Sequence, residues 1–215
     1  MSPSNFFLIF IPILIVTPTR LLPQSSTTGK NVAALTRYIS TSESFMTPHK
    51  VSEIDLVDSI YLNAIRMTGG EISPALAACI WTCLTVRSAT IISPILRTPF
   101  VIPFFSASDS IFREKNRRLP KYLFPDSPNS PAGDVDKLAH FFGSAYIEFN
   151  SFIPGVTEFF GWFIEVFEET FKLDSKISYR DIKVNSLGIK FGNGLKKKND
   201  LLPSDFLKLY NSTNK

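Results

Sequence analysis

Apolar side chains recur at helical spacing through the last third of the chain, and this pattern predicts three helices. The first helix is expected to begin near Asp136 and to continue through Phe149. The second is expected from residues 155–157 to Lys172, along a stripe of phenylalanine and isoleucine. The third follows Ser178, a capping residue with an acid three positions later. Together they are predicted to form a compact module.

Two further helices are predicted nearer the start of the chain. One covers residues 52–67, where Ser52 can cap the first turn and two glycines follow the last. The other begins at Ser73, before a proline that suits a first helical turn, and runs to about Val86. Residues 88–105 are apolar but broken by prolines, and they predict buried or interfacial helix and loop. A membrane-spanning segment within residues 75–105 stays as the alternative.

The remaining stretches have the composition of a leader, a flexible segment and a linker. Residues 6–16 have the length of a signal-peptide core, with no Lys or Arg before them, so an uncleaved anchor stays open beside a cleaved signal. The fold class is predicted to be all-α, with additional N-terminal helices and a proline-rich irregular middle. The expected segments are 1–24 signal peptide or anchor, 25–51 flexible, 52–105 helical and partly membrane-like, 106–133 basic Pro/Ser-rich linker, 134–195 helical module and 196–215 basic tail with a short helix.

Composition narrows the choice of function classes. Of 215 residues, 44% are hydrophobic and 20% charged, which indicates a folded protein rather than a disordered one. The net charge of +4 permits attraction to an anionic membrane surface, and no basic stripe with exposed aromatics indicates nucleic-acid binding. The linker contains a basic cluster, which is either a solvated loop or a contact for anionic lipid head groups. Its members are Arg113, Lys115, Arg117, Arg118 and Lys121. With only two cysteines, Cys79 and Cys83, a cysteine-rich zinc site is excluded.

One face of the third C-terminal helix combines polar and small residues. Asp181, Asn185, Gly188 and Gly192 follow at spacings of four, three and four. Glycine inside an exposed helix costs about 1 kcal/mol relative to alanine, so two of them indicate a close approach of a neighbouring helix. That face is therefore predicted to be buried.

Once buried, the carboxylate of Asp181 and the amide of Asn185 need partners, because an unpaired buried polar group costs about 1 to 3 kcal/mol. The candidates are polar side chains on the same three helices: Asp136, Lys137, His140, Glu165 and Arg180. The sequence therefore predicts a polar cluster where the helices meet.

The same residues resemble a known family. Asp136-Lys-Leu-Ala-His140, Glu165 in the next helix, and Asp181-x-x-x-Asn185-x-x-Gly188 are similar to the VanZ-like group, and closer to the YfiM-like lipoproteins of the bacterial envelope. The resemblance covers about residues 134–192. It implies an exported, envelope-associated helical protein, periplasmic or on the membrane, although the lipid-anchor cysteine of those lipoproteins is missing.

Three interpretations of the cluster remain open. In the first, the protein has a structural or interaction role at the membrane surface or with envelope components, and the cluster fixes helix packing. In the second, it is an enzyme on an envelope lipid or glycan, with His140 as general acid or base and Glu165 and Asp181 as its partners. In the third, those three side chains hold a divalent metal. The sequence implies no cofactor, and the first interpretation is preferred.

Overall fold

A computed structural model describes residues 26–46, 51–92, 99–152 and 179–210, with the backbone alone at residues 89–92, 100 and 102. These residues form helices and a two-stranded hairpin. Their order is α1 Thr27–Thr41, α2 Glu53–Met67, α3 Ile72–Cys83, β1 Ser88–Ile92, β2 Pro99–Pro103, α4 Asp109–Arg118, α5 Val135–Asn150, α6 Tyr179–Leu195 and α7 Pro203–Leu207. The all-α fold class is confirmed.

The helices surround one continuous apolar core. Helix α3 packs against α1, α2 and α5, helix α5 pairs with α6, and α7 contacts both α6 and α2. Three aromatic rings connect these helices at the centre: Phe191 of α6 lies 5.3 Å from Tyr61 of α2 and 5.4 Å from Phe141 of α5. Edge-to-face and offset arrangements of this kind contribute about 0.5 to 1.5 kcal/mol beyond burial. The N-terminal and C-terminal helices therefore share a core.

Of the helices predicted from periodicity, those that fall within the described residues are present, with small shifts at their ends. Helix α2 ends where predicted, because Gly69 and Gly70 take the left-handed φ values of +67° and +94° and the Gly70 amide donates to the Ile65 carbonyl at 2.9 Å. Helix α3 begins at Ile72, one residue before the predicted start, and ends at Cys83 rather than near Val86. The predicted basic turn and short helix of the tail are also present, the latter as α7.

The prediction that residues 25–51 are flexible was wrong for α1. Ser26 caps this helix by accepting a hydrogen bond from the Gly29 amide at 3.0 Å. Val32, Leu35 and Ile39 are fully buried along one face. Their spacing of three and four is the ordinary signal of an amphipathic helix, which the surrounding serines and threonines obscured.

Residues 88–105 were predicted as buried or interfacial helix and loop, and the structure instead has the β1–β2 hairpin there. The strands are antiparallel, with Thr90 opposite Val101. Prolines at both ends of β2 and β-branched residues between them fit a short exposed strand better than a helix. None of the described helices combines the length and apolar content needed to cross a bilayer.

The prediction of a linker at residues 106–133 was wrong for the basic cluster and for the residues directly after it. All residues of the basic cluster except Lys121 lie in helix α4, and Lys115 is fully buried there. Leu119, Leu123 and Phe124 then join the apolar core. The backbone between α4 and α5 is fixed by side chains from elsewhere, since Glu53 of α2 accepts a hydrogen bond from the Tyr122 amide at 3.0 Å. The predicted leader at residues 1–24 and the second helix of the C-terminal module lie outside the described residues.

Candidate functional site

Helices α5 and α6 run parallel and very close together. Contacts along the pair advance in the same direction on both helices, from Lys137 and Asp181 near their N-termini to Glu148 and Lys196 near their C-termini. Gly188 and Gly192 allow the approach. A Cβ atom at Gly192 would lie 3.0 Å from both the Ala145 Cα and the Glu148 Cβ, closer than side chains tolerate. Asn185, Gly188 and Gly192 are all buried, and the two glycines lie directly against α5.

Lys137 and Asp181 form the first polar contact between α5 and α6. The Lys137 Nζ lies 2.5 Å from the Asp181 Oδ1, and each side chain is only 8% exposed. The contact is an ion pair and not a well-aligned hydrogen bond. Asp136, which is half exposed, also pairs with Lys137. Burial lowers the pKa of Lys137, but the two carboxylates outweigh it and the net pKa is raised, so Lys137 is charged at neutral pH.

His140 lies one turn beyond Lys137 and faces the same carboxylate. Its Nε2 is 4.0 Å from the Asp181 Oδ1, and its side chain is 22% exposed. The predicted approach of His140 to Asp181 is therefore present. At this distance the two groups attract electrostatically when His140 is protonated, and a modest movement would produce a hydrogen bond.

The next two contacts between α5 and α6 are also polar. The Ser144 hydroxyl donates to the Asn185 Oδ1 at 3.0 Å in a buried position. The Lys196 ammonium donates to the Glu148 Oε1 at 2.8 Å and to the Ser151 carbonyl at 2.9 Å. We call these three contacts, together with His140, the polar seam: Lys137–Asp181, Ser144–Asn185 and Glu148–Lys196. The polar seam pairs buried polar groups across the two helices and fixes the register of α5 on α6.

Arg180, which was predicted to belong to the same cluster, has a different set of described carboxylate partners. Its Nη2 donates to the fully buried Asp134 at 2.6 Å, and its Nε donates to Asp126 at 3.2 Å. Burial lowers the pKa of Arg180, but these two carboxylates raise it more. Tyr210 also donates to Asp126, at 2.9 Å, and its ring stacks on Phe124 at 3.8 Å. This second network ties the chain between α4 and α5 to α6 and to the C-terminal residues.

Several polar residues of the site were missed by the sequence prediction. Asp134, not Asp136, lies at the start of α5, and the Leu123 amide donates to its side chain at 3.2 Å. Asp126 lies in the segment predicted as a linker. No local pattern marks either residue, because their partners are distant in sequence and depend on the path of the chain. Lys196 had a detectable signal, since it lies four residues after Gly192 and continues the spacing of that face. Glu148 likewise follows His140 and Ser144 at spacings of four.

The remaining predicted site residue, Glu165, lies outside the described residues. Within the described ranges, no group of three or more His, Cys, Asp and Glu side chains is arranged to hold a metal ion. The cysteines Cys79 and Cys83 are both free thiols buried in α3.

Comparisons with protein-family models, with curated proteins and with solved structures gave no match to this chain. The geometry of the polar seam and the residues around it are therefore the basis for a functional proposal.

Proposed function

We propose that this protein is a structural or interaction protein of the bacterial cell envelope, exported and associated with the membrane surface, in which the polar seam holds α5 and α6 in a fixed register. The VanZ-like and YfiM-like resemblance and the apolar leader motivate the location. The burial and pairing of the seam support the structural role.

A single observation carries the structural role: Lys137 and Asp181 form an ion pair, with both side chains 8% exposed, beside glycines that bring the two backbones together. A buried pair of this kind contributes less to stability than to specificity, because desolvation offsets much of the attraction. Removing one partner leaves an isolated buried charge, which is strongly unfavourable. Matched charges along the polar seam therefore favour one register of the two parallel helices over the other registers they could adopt.

A double-mutant cycle tests this role. We expect Lys137→Met to lower the free energy of unfolding by about 3 kcal/mol, because it leaves the Asp181 carboxylate buried without its cation. Lys137→Met combined with Asp181→Asn should recover part of that loss, and chemical denaturation would measure the coupling. Single variants as stable as the wild type would contradict the structural role.

An enzymatic function is the second candidate, and the exposure of His140 favours it. This side chain is reachable from solvent while Asp181 behind it is nearly closed off, an arrangement that suits a general acid or base. His140→Gln and His140→Ala distinguish the two functions. If the variants lose stability and the function in the cell envelope is lost along with it, the structural role is supported. If the variants are fully stable but the function in the cell envelope is lost, catalysis is supported.

The location needs its own test. Alkaline phosphatase fused after Tyr210 is active only outside the cytoplasm of a bacterial host. We expect activity with the full leader and none after deletion of residues 1–24. Equal activity without the leader, or none with it, would remove the proposed location and leave the role of the polar seam untouched.

A further inference from the structure

The register of the β1–β2 hairpin decides which of its backbone groups point outward. In an antiparallel pair, hydrogen-bonded pairs direct their N–H and C=O groups at the partner strand, and the alternating non-hydrogen-bonded pairs direct theirs away from it. The Phe104 amide donates to the Arg87 carbonyl at 2.8 Å, one position outside the Ser88–Pro103 pair. Every second pair of the hairpin is therefore of the non-hydrogen-bonded kind: Ser88–Pro103, Thr90–Val101 and Ile92–Pro99.

The two outer edges of the hairpin offer different numbers of hydrogen-bond donors. On β2, two of the three outward positions are the prolines Pro99 and Pro103, which have no N–H, so Val101 is the one outward donor of this strand. On β1 no outward position is a proline, and all three keep both their N–H and their C=O: Ser88, Thr90 and Ile92. Proline on an edge strand is a common protection against pairing with another chain. Here it protects β2 and leaves β1 open.

The open edge of β1 has no strand beside it among the described residues. The described sheet consists of these two strands, and neither packs extensively against a described helix. Ser88, the first outward position of β1, is exposed. A row of unpaired N–H and C=O groups is a template for another strand, and a sheet of only two strands is marginal in water. A strand added at β1 would satisfy these groups and stabilise the hairpin.

We propose that β1 pairs with β1 of a second copy of this chain, antiparallel and centred on Thr90, so that two hairpins form one four-stranded sheet. In this register Thr90 of one copy lies opposite Thr90 of the other, and Ser88 lies opposite Ile92. The outward groups then meet in three hydrogen-bonded pairs, each of which exchanges both of its N–H···O=C bonds. The dimer goes beyond the structural role proposed above and depends on neither export nor the polar seam.

The prolines of β2 favour a second copy of the chain over a strand from a different protein. In the four-stranded sheet both outermost strands are β2, and their outward prolines close the assembly to further strands. A strand from another protein would present a new outer edge that nothing in this chain protects. Two-fold dimers are also the commonest soluble oligomers. Because β1 has five residues, against about 20 to 30 on each side of a standard interface, the dimer is expected to be weak and reversible.

Sedimentation equilibrium of the full chain tests the dimer with two matched proline variants. Proline at position 90 or 101 removes an outward N–H and leaves the β1–β2 ladder intact, because neither amide takes part in it. Thr90→Pro removes two hydrogen bonds per dimer, so the dissociation constant should rise roughly thirtyfold. Val101→Pro should leave the constant unchanged. The apolar residues 6–16 are the same in both variants, so association through them would affect both equally.

Cysteine cross-linking tests the register. Thr90→Cys should form a disulfide between two copies under mild oxidation, since the Cα atoms of a hydrogen-bonded pair are about 5.5 Å apart and a disulfide spans about 4.4 to 6.8 Å. Ser88→Cys should not, because position 88 lies opposite position 92 and far from its own counterpart. The native thiols of Cys79 and Cys83 are buried, and the wild type verifies that they form no cross-link.

Three results would overturn the proposal. A full chain that stays monomeric up to about 1 mM does not pair through β1, and a strand from a different protein would then be the occupant of this edge. A dimer that Thr90→Pro and Val101→Pro weaken equally does not form through the edge of β1. Cross-linking of Ser88→Cys as fast as that of Thr90→Cys excludes the register centred on Thr90. None of these results affects the export test or the Lys137–Asp181 cycle.

Discussion

Lys115 carries the largest mismatch between residue type and environment among the described cations. Its side chain is fully buried in α4, where its ammonium donates to the Leu84 carbonyl at 2.7 Å and lies 4.4 Å from the ring of Phe112. Burial lowers its pKa from 10.5 to about 8. The carbonyl belongs to the residue that ends α3, so a cation here caps the C-terminal end of one helix from inside another.

The lowered pKa of Lys115 makes stability depend on alkaline pH. Between the folded pKa of about 8 and the unfolded value of 10.5 the unfolded chain binds more protons, so the free energy of unfolding rises with pH. From about pH 7.5 to 9.5 the gain is about 2 kcal/mol. We expect Lys115→Met to lack this rise, which urea unfolding at both pH values would measure. Parallel pH dependence in wild type and variant would contradict it.

Asp58 provides a second residue-scale prediction. Its Oδ1 accepts a hydrogen bond from the Ser204 amide at 2.8 Å, so α2 caps the first turn of α7 across 146 residues of sequence. Burial raises the pKa of Asp58, although Ser204 opposes the shift. Asp58→Ala should lower the free energy of unfolding by about 1 to 2 kcal/mol, the usual effect of a lost cap, whereas Asp58→Asn keeps the acceptor and should be near neutral at pH 7.

The pH profile separates the charge of Asp58 from its capping role. A raised folded pKa means that the folded chain holds the proton longer, so this contribution is largest in acid and falls as pH rises through the folded pKa. Thermal unfolding should therefore show the stability of the wild type falling relative to that of Asp58→Asn as the pH rises above about 4, the ordinary pKa of an aspartate. If Asp58→Asn had the same pH dependence of stability as the wild type, the raised pKa would be excluded. If Asp58→Ala were as stable as Asp58→Asn, the capping role would be excluded.

At the scale of elements, the α5–α6 pair depends on backbone contact. Gly188→Ala places a Cβ 3.0 Å from the Ser144 Cβ and against the Phe141 carbonyl, so the helices must separate. We expect a loss of about 2 to 3 kcal/mol, because overpacking exceeds the gain in helix propensity. Gly143→Ala is the matched control. Apart from its chain neighbours and the backbone of its own helix, no described atom lies within 4 Å of a Cβ at this position. The variant should therefore gain up to about 1 kcal/mol in denaturant unfolding. Equal effects of the two substitutions would contradict the close approach.

Elements with a local signal could be predicted from the sequence, and those fixed by distant partners could not. The buried face of α6 followed from the spacing of Asp181, Asn185 and Gly188, because a helix places those residues together whatever surrounds it. Arg180 is next to that face, yet its partner Asp126 lies 54 residues away in a proline-rich stretch. The hairpin was missed for a related reason: a short apolar run fits a strand or a buried helix equally well until the register is known.

At the scale of the whole molecule, the segments expected from composition share one apolar core and are not separate units. Apolar side chains from α1, α2, α3, α5, α6 and α7 form one continuous cluster. The ring of Tyr61 on α2 contacts Phe191 on α6, and the Arg180–Asp126–Tyr210 network fastens the C-terminal residues to the chain between α4 and α5. These contacts predict that the N-terminal and C-terminal helices unfold together.

The two cysteines offer a direct measurement of that cooperativity. Both lie in α3, both are buried, and burial raises the pKa of Cys83 to about 12, so neither reacts while α3 stays folded. Gly188→Ala acts on α6, which has no extensive described contact with α3. In a single cooperative unit a loss of about 2 kcal/mol raises the open population, and with it the rate of thiol labelling under native conditions, roughly thirtyfold. Gly143→Ala should slow the labelling. An unchanged rate in Gly188→Ala would mean that α3 opens independently of the C-terminal helices, and that the shared core does not couple the two halves.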